Sequence, residues 1–132
     1  MVRWATKDDV SGLFTLLTSS ESNEPCHYEV EALVEWVSDR NHNILLVTGD
    51  DLDGFIFCKR ISLLWWVLDG LYVRPEARQR GIGSMLMDNL EMELVKIGAK
   101  YLSSLVVPTD AGFMIRRGFM ACKEYRWFGK NL

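Results

Sequence analysis

Apolar residues recur along this chain with two spacings, and each change of spacing marks a new element. Val2 to Ala5 predicts a short first strand. The acidic pair Asp8-Asp9 then precedes Val10, Leu13, Phe14 and Leu17, which are spaced for one face of a helix. The polar run from Thr18 to Pro25 ends it. A second helix is expected from about Tyr28 to Ser38, with Val30, Leu33, Val34 and Val37 inward and Glu29, Glu31 and Glu35 on the wetter side. Ile44 to Thr48 is a β-prone run, and Gly49 to Gly54 predicts a hairpin turn into Phe55 to Cys58. Another strand is expected from Leu63 to Val73. Its Asp69-Gly70 step predicts a bulge or a close backbone approach, and its Trp65-Trp66 pair must send one ring to each face. From Gly81 onward Ile82, Leu86, Leu90, Leu94 and Ile97 recur at helical spacing, with Gly98 as a stop. Tyr101 to Val107 predicts a strand closed by Pro108, Ala111 to Arg117 a short helix, and Gly118 to about Phe128 a last strand. The order β-α-α-β-β-β-α-β-α-β contains no repeat and no linker, so one mixed α/β domain over residues 1–132 is expected.

Composition narrows the class of function. The chain has 132 residues, 48% hydrophobic and 25% charged, which excludes a disordered tail, a collagen-like repeat and a disulfide miniprotein. A net charge of −3 and a pI near 5.4 argue against a nucleic-acid partner, whose phosphates demand clustered Lys and Arg. Cys26, Cys58 and Cys122 are scattered, with no spacing for a metal site or a redox motif, and suit a reducing compartment. The longest apolar run, Leu63 to Leu68, is far short of the roughly 20 residues that span a bilayer. No secretory signal stands at the start, so a soluble, cytoplasmic protein without a membrane partner is expected.

The chemistry concentrates between Leu71 and Ser84, where a strand ends, a basic loop follows and two glycines open an amphipathic helix. Helix N-termini carry unpaired N–H groups and a partial positive charge, so they attract anions. Gly81 and Gly83 would let a pyrophosphate reach the backbone, and Arg74, Arg78 and Arg80 would add charge on the same rim. Two familiar phosphate loops do not fit. A Walker loop needs a Lys after its last glycine, and the dinucleotide fingerprint needs a third glycine where Leu86 stands.

The pattern that fits is Arg78-Gln79-Arg80-Gly81-Ile82-Gly83, an [Arg/Gln]-x-x-Gly-x-[Gly/Ala] run, and with it the chain resembles the GNAT superfamily of N-acetyltransferases. Arg3-x-Ala5-Thr6-x-x-Asp9 resembles the family's opening strand and first helix, and Leu71-Tyr72-Val73 its central strand. Gly112-Phe113 with Arg117-Gly118-Phe119 resembles its late helix-to-strand segment. The resemblance implies a six- or seven-stranded, mostly antiparallel sheet with splayed central strands and about four helices. It implies acetyl-CoA as co-substrate and acetyl transfer to a primary amine, on a small molecule or a peptide. Carried over by position, the N–H groups of Gln79, Arg80, Gly81, Ile82, Gly83 and Ser84 hold the pyrophosphate, with Arg78, Tyr72 and Phe113 also at the cofactor. The main chain of Val73 pairs with the pantetheine arm, and the Leu71 N–H donates to the thioester oxygen.

The acid and the base are left open by the same resemblance. Family members often place a Tyr four residues before the late Gly-Phe pair as proton donor to the thiolate; here that residue is Met114, which cannot donate. Tyr28, Tyr125 or water could serve instead, or the chain could be a non-catalytic acyl-CoA-binding sensor or interaction module. Asp69 is the nearest candidate base, although it also suits a turn or bulge, and His27 lies in the segment that often lines the acceptor pocket. Glu21, Glu24, Glu29 and Glu31 would give that pocket an acidic mouth favouring a cationic amine. Aromatic residues around Tyr125 to Phe128 would suit a homodimer contact or a core cover.

Overall fold

In the computed structural model, which describes residues 1–18, 29–49, 51–104, 111–122 and 128–132, the strands lie side by side in chain order. They are β1 (Val2–Trp4), β2 (Asn43–Thr48), β3 (Gly54–Arg60), β4 (Trp65–Val73) and β5 (Tyr101–Ser104). The first four are antiparallel; two helices intervene between β1 and β2, and short reversals join β2 to β3 and β3 to β4. β5 is parallel to β4, because the long helix α3 (Ile82–Lys96) carries the chain back over the sheet between them. The other helices are α1 (Val10–Thr18), α2 (Val30–Ser38) and α4 (Ala111–Arg116). The mixed α/β class and the four helices match the expectation. Five strands are seen among the described residues rather than six or seven: residues 105–107 and 123–127 lie outside them, and residues 119–122 are not in a strand.

Helices cover both faces, which is why β2 is buried at all six positions and reads as a continuous apolar run. Leu45, Val47, Phe55 and Phe57 pack against Leu13, Leu16, Leu33 and Val37 of α1 and α2. On the opposite face Ile44, Leu46, Ile56, Trp66 and Leu68 meet Leu86, Met87, Leu90 and Leu94 of α3 and Met114 of α4.

β4 starts at Trp65, two residues later than its apolar run suggests. The N–H groups of Ile61 and Ser62 both donate to the Trp65 carbonyl, at 2.9 and 3.0 Å, so residues 61–64 are the turn between β3 and β4. The Trp pair divides as expected: Trp66 is buried, and Trp65 lies outside, its Nε1 donating to Ser103 Oγ at 2.8 Å. The expected bulge is present. Phe57 pairs with Gly70 but Cys58 with Leu68, so Asp69 is the extra residue on β4. At the end of α4, Gly118 is left-handed (φ +92°) and Phe119 N–H closes back on the Met114 carbonyl at 3.0 Å, a helix stop rather than the start of a strand.

Candidate functional site

The ladder between β3 and β4 decides which way the β4 backbone points. Arg74 N–H donates to the Asp53 carbonyl at 2.7 Å, so 74 and 53 form a hydrogen-bonded pair. Such pairs alternate, which puts Tyr72 opposite Phe55 in another one and leaves Val73 opposite Gly54 and Leu71 opposite Ile56 non-bonded. The N–H and C=O of Leu71 and Val73 therefore point away from β3, toward the side where β5 accompanies Trp65 to Leu68. The Val73 carbonyl accepts a 2.9 Å hydrogen bond from Arg78 Nε, whose guanidinium lies 5.7 Å from the Tyr72 ring centre.

Beyond β4 the chain makes a short 3-10 turn (Pro75–Ala77) and then two left-handed residues, Gln79 (φ +63°) and Gly81 (φ +78°). Gly81 suits this conformation because it has no Cβ, and no atom lies within 4 Å of where one would be. The first intrahelical bond of α3 is Met85 N–H to Gly81 C=O at 3.0 Å, and no side chain caps the helix. The N–H groups of Ile82, Gly83 and Ser84 are thus left without an intrahelical acceptor, beside the exposed Arg78, Gln79 and Arg80. Arg74 is not on this rim. Its Nη2 donates to the carbonyls of Asp51 and Leu52, the latter at 2.9 Å, and so clamps the turn between β2 and β3.

On the α1/α2 face of the bulge, Asp69 Oδ2 is 3.5 Å from Lys59 Nζ. The same ammonium lies 5.1 Å from the Trp36 ring centre and 5.4 Å from that of Phe57. These two rings are stacked 4.3 Å apart. They share with Leu13, Leu17, Leu33 and Gly70 the lining of an apolar cavity of about 30 Å³. Beneath Asp69, burial pushes the Cys58 thiol up to about 12, the carboxylate adding to the effect.

The sequence profile of the acetyltransferase (GNAT) family matches residues 10–119. The chain belongs to the GNAT family. No curated protein matches it in sequence. Solved structures share the fold. A transcriptional regulator from Bacillus halodurans C-125 is 22% identical with a TM-score of 0.82, covering 98% of this chain and 99% of its own. AAC(6')-Iy, solved with a bisubstrate analogue CoA-S-monomethyl-acetylneamine, is 18% identical with a TM-score of 0.79, covering 100% and 98%. A ribosomal-protein-alanine N-acetyltransferase from Brucella melitensis biovar Abortus 2308 is 18% identical with a TM-score of 0.69, also covering 100% and 98%.

Within this GNAT chain the residues expected at the cofactor lie mostly at the end of β4 and the start of α3. Leu71, Tyr72 and Val73 are half-buried at the end of β4, and Gln79 to Ser84 form the turn and first helical residues beside it. Phe113 is half-buried and packs on the α3-side core. Met114 is buried in that core, so the family's usual donor position carries a packing residue. His27, Tyr28, Tyr125, Glu21 and Glu24 lie outside the described residues; Glu29 and Glu31 are exposed. His42 pairs with Asp39 at 2.9 Å in an exposed connector. Among the described residues no helix is long and apolar enough to cross a membrane, and no cluster of His, Cys, Asp and Glu could hold a metal. Asp69 is a candidate already in the sequence, whereas its partner Lys59 is not. The available signal was strand alternation, which puts Lys59 on the same face as Phe55 and Phe57.

Proposed function

We propose that the protein is an N-acetyltransferase that moves an acetyl group from acetyl-CoA to a primary amine by direct attack in a ternary complex. The observation that carries this reading is the uncapped start of α3 behind left-handed Gly81, set beside the outward-pointing backbone of Leu71 and Val73. Those residues fit the cofactor: open N–H groups for a pyrophosphate, and a strand edge for the amides of a pantetheine arm. The N–H groups from Gln79 to Ser84 would hold the phosphates, with Arg78, Arg80 and Phe113 around them. Arg78 would give up the Val73 carbonyl to the arm.

Acetyl-CoA supplies an acyl group that is already activated, so most of the protein's contribution is placement. The Leu71 N–H points out of the ladder, where it would polarise the thioester oxygen and stabilise the charge that develops there. Asp69, the bulged residue of β4 beside Lys59, would take a proton from the amine. With Met114 buried and unable to donate, the proton for the leaving sulfur would come from water, Tyr28 or Tyr125, and His27 would serve at the acceptor.

Calorimetric titration with acetyl-CoA, free CoA and adenosine diphosphate tests the cofactor site. One-to-one micromolar binding is expected. Gly83→Leu should weaken it at least about tenfold. A Cβ at Gly83 meets only Val73 Cγ2, at 3.9 Å, so that variant should stay folded. Unchanged affinity would overturn the placement. The buried Met114 favours one second reading, a non-catalytic acyl-CoA-binding module. Free thiol released only when an amine is added decides for the enzyme; binding with no turnover decides for the module.

A further inference from the structure

The α1/α2 face carries two opposite charges at the edge of an apolar cavity, a pairing made across the bulge rather than along the chain. Lys59 Nζ and Asp69 Oδ2 lie 3.5 Å apart, with the two side chains 43% and 39% exposed, so a ligand can reach both. Lys59 rests over Trp36 and Phe57, and those two rings together with Gly70 line the cavity. Gly70 directly follows Asp69 and directly precedes Leu71, so the acidic partner, the cavity lining and the outward N–H of Leu71 come from three successive residues of β4, with Lys59 facing them from β3.

From this juxtaposition, and resting on the acetyl-CoA reading above, we infer that the amine acceptor is a free α-amino acid with an apolar side chain. Its α-ammonium faces Asp69, its α-carboxylate faces Lys59, and its side chain enters the cavity beside Trp36 and Phe57. A zwitterion exchanges the internal ion pair for two equivalent external ones and leaves no charge unpaired. A polyamine brings further cations against Lys59, and a peptide N-terminus brings no carboxylate to meet it. The apolar lining beside Trp36 and Phe57 favours an aliphatic or thioether side chain over a charged one. In the transfer step the α-ammonium gives one proton to the Asp69 carboxylate. The nitrogen lone pair then forms the bond to the acyl carbon as the carbon–sulfur bond breaks. The second proton lost by nitrogen ends on the CoA sulfur, giving the N-acetyl amino acid and free CoA.

The test measures thiol release from acetyl-CoA with L-valine, L-leucine and L-methionine, each against its carboxamide and against spermidine, with acetyl-CoA affinity measured by calorimetry in parallel. At least one amino acid should exceed its amide about tenfold in kcat/KM, the value of one charge-assisted contact. Lys59→Gln should raise KM for the amino acid more than it lowers kcat, and should erase the difference from the amide; Lys59→Arg should restore it. Amides or spermidine accepted as well as the amino acids would overturn the inference, as would a preference that survives Lys59→Gln. Acetyl-CoA binding with no transfer to any amino acid overturns this acceptor and leaves the cofactor site standing. Failure of acetyl-CoA to bind overturns both.

Discussion

The guanidinium of Arg3 grips the carboxylate of Asp9 with two parallel hydrogen bonds of 2.7 and 2.8 Å. The same carboxylate accepts from Thr6 N–H at 2.8 Å, and Arg3 also donates to the Gly49 carbonyl at 3.3 Å. The Arg3–Asp9 pair therefore fastens β1, the turn that starts α1 and the end of β2. This gives a physical reason for the Arg3-x-Ala5-Thr6-x-x-Asp9 spacing: it builds the frame of the α1/α2 face rather than touching a ligand.

The hydrogen bonds from Arg3 hold the Asp9 carboxyl below the usual carboxylate range, with burial pulling the other way and Thr6 assisting Arg3. A depressed carboxylate stabilises the fold above its unfolded value, about 3.9, and that contribution is lost as pH falls through the lower folded value. Asp9→Asn should cost about 1–2 kcal/mol at neutral pH. Urea midpoints of the two proteins should converge below about pH 4. A gap of constant size down to acid pH would show that Asp9 acts by packing alone.

Gly12 of α1 sits against Leu52, whose backbone is left-handed (φ +50°) and whose side chain is buried. A Cβ on Gly12 would lie 2.4 Å from Leu52 Cδ1. Alanine is the better helix former by about 1 kcal/mol, yet the collision should win. Gly12→Ala is expected to destabilise by about 1–3 kcal/mol, and Leu52→Ala should relieve part of that cost in a double-mutant cycle. A stabilised Gly12→Ala protein would mean that Leu52 can move aside freely.

These contacts mark what local pattern can and cannot reveal. β1, β2, β3 and α3 are legible because alternation and helical spacing follow from which face is buried. The start of β4 was misplaced because Leu63 and Leu64 are apolar yet 71% and 55% exposed in the turn, and periodicity cannot tell an exposed apolar tip from a strand. The glycine loop was legible because its requirements are local: a left-handed residue, then free N–H groups. Arg74 adjoins the glycine loop in sequence but not in its contacts. Its partners, the carbonyls of Asp51 and Leu52, are set by the register of β3 against β4. The Lys59–Asp69 pair was hidden for the same reason, since it exists only across a bulge.

Cys58 and Cys122 should differ sharply toward thiol reagents. Cys58 is buried on the α3 face with its thiol pushed up to about 12, so it stays protonated at pH 8. Cys122 is exposed, with Tyr101 Oη 3.8 Å away. Iodoacetamide at pH 8 with peptide mapping should label Cys122 in the native protein and Cys58 only after unfolding. Equal native labelling would mean that the sheet opens far more readily than its packing implies.

The three arginines around the loop should separate by what each one touches. Arg74 is committed to turn carbonyls, its backbone N–H to Asp53, so it holds the turn between β2 and β3 against the end of β4. Arg74→Ala should therefore cost about 1–2 kcal/mol of stability and leave acetyl-CoA affinity within about twofold. Arg80 is exposed at the start of α3 and has no stabilising contact among the described residues. Arg80→Ala should leave stability within about 0.5 kcal/mol and weaken acetyl-CoA several-fold at low salt, the loss shrinking as salt screens the phosphates. Urea denaturation and calorimetry at two ionic strengths read both quantities. If Arg74→Ala were instead the variant with salt-dependent loss of affinity, the cofactor's phosphates would have to lie over the turn between β2 and β3, and the assignment of the α3 N-terminus would fall with it.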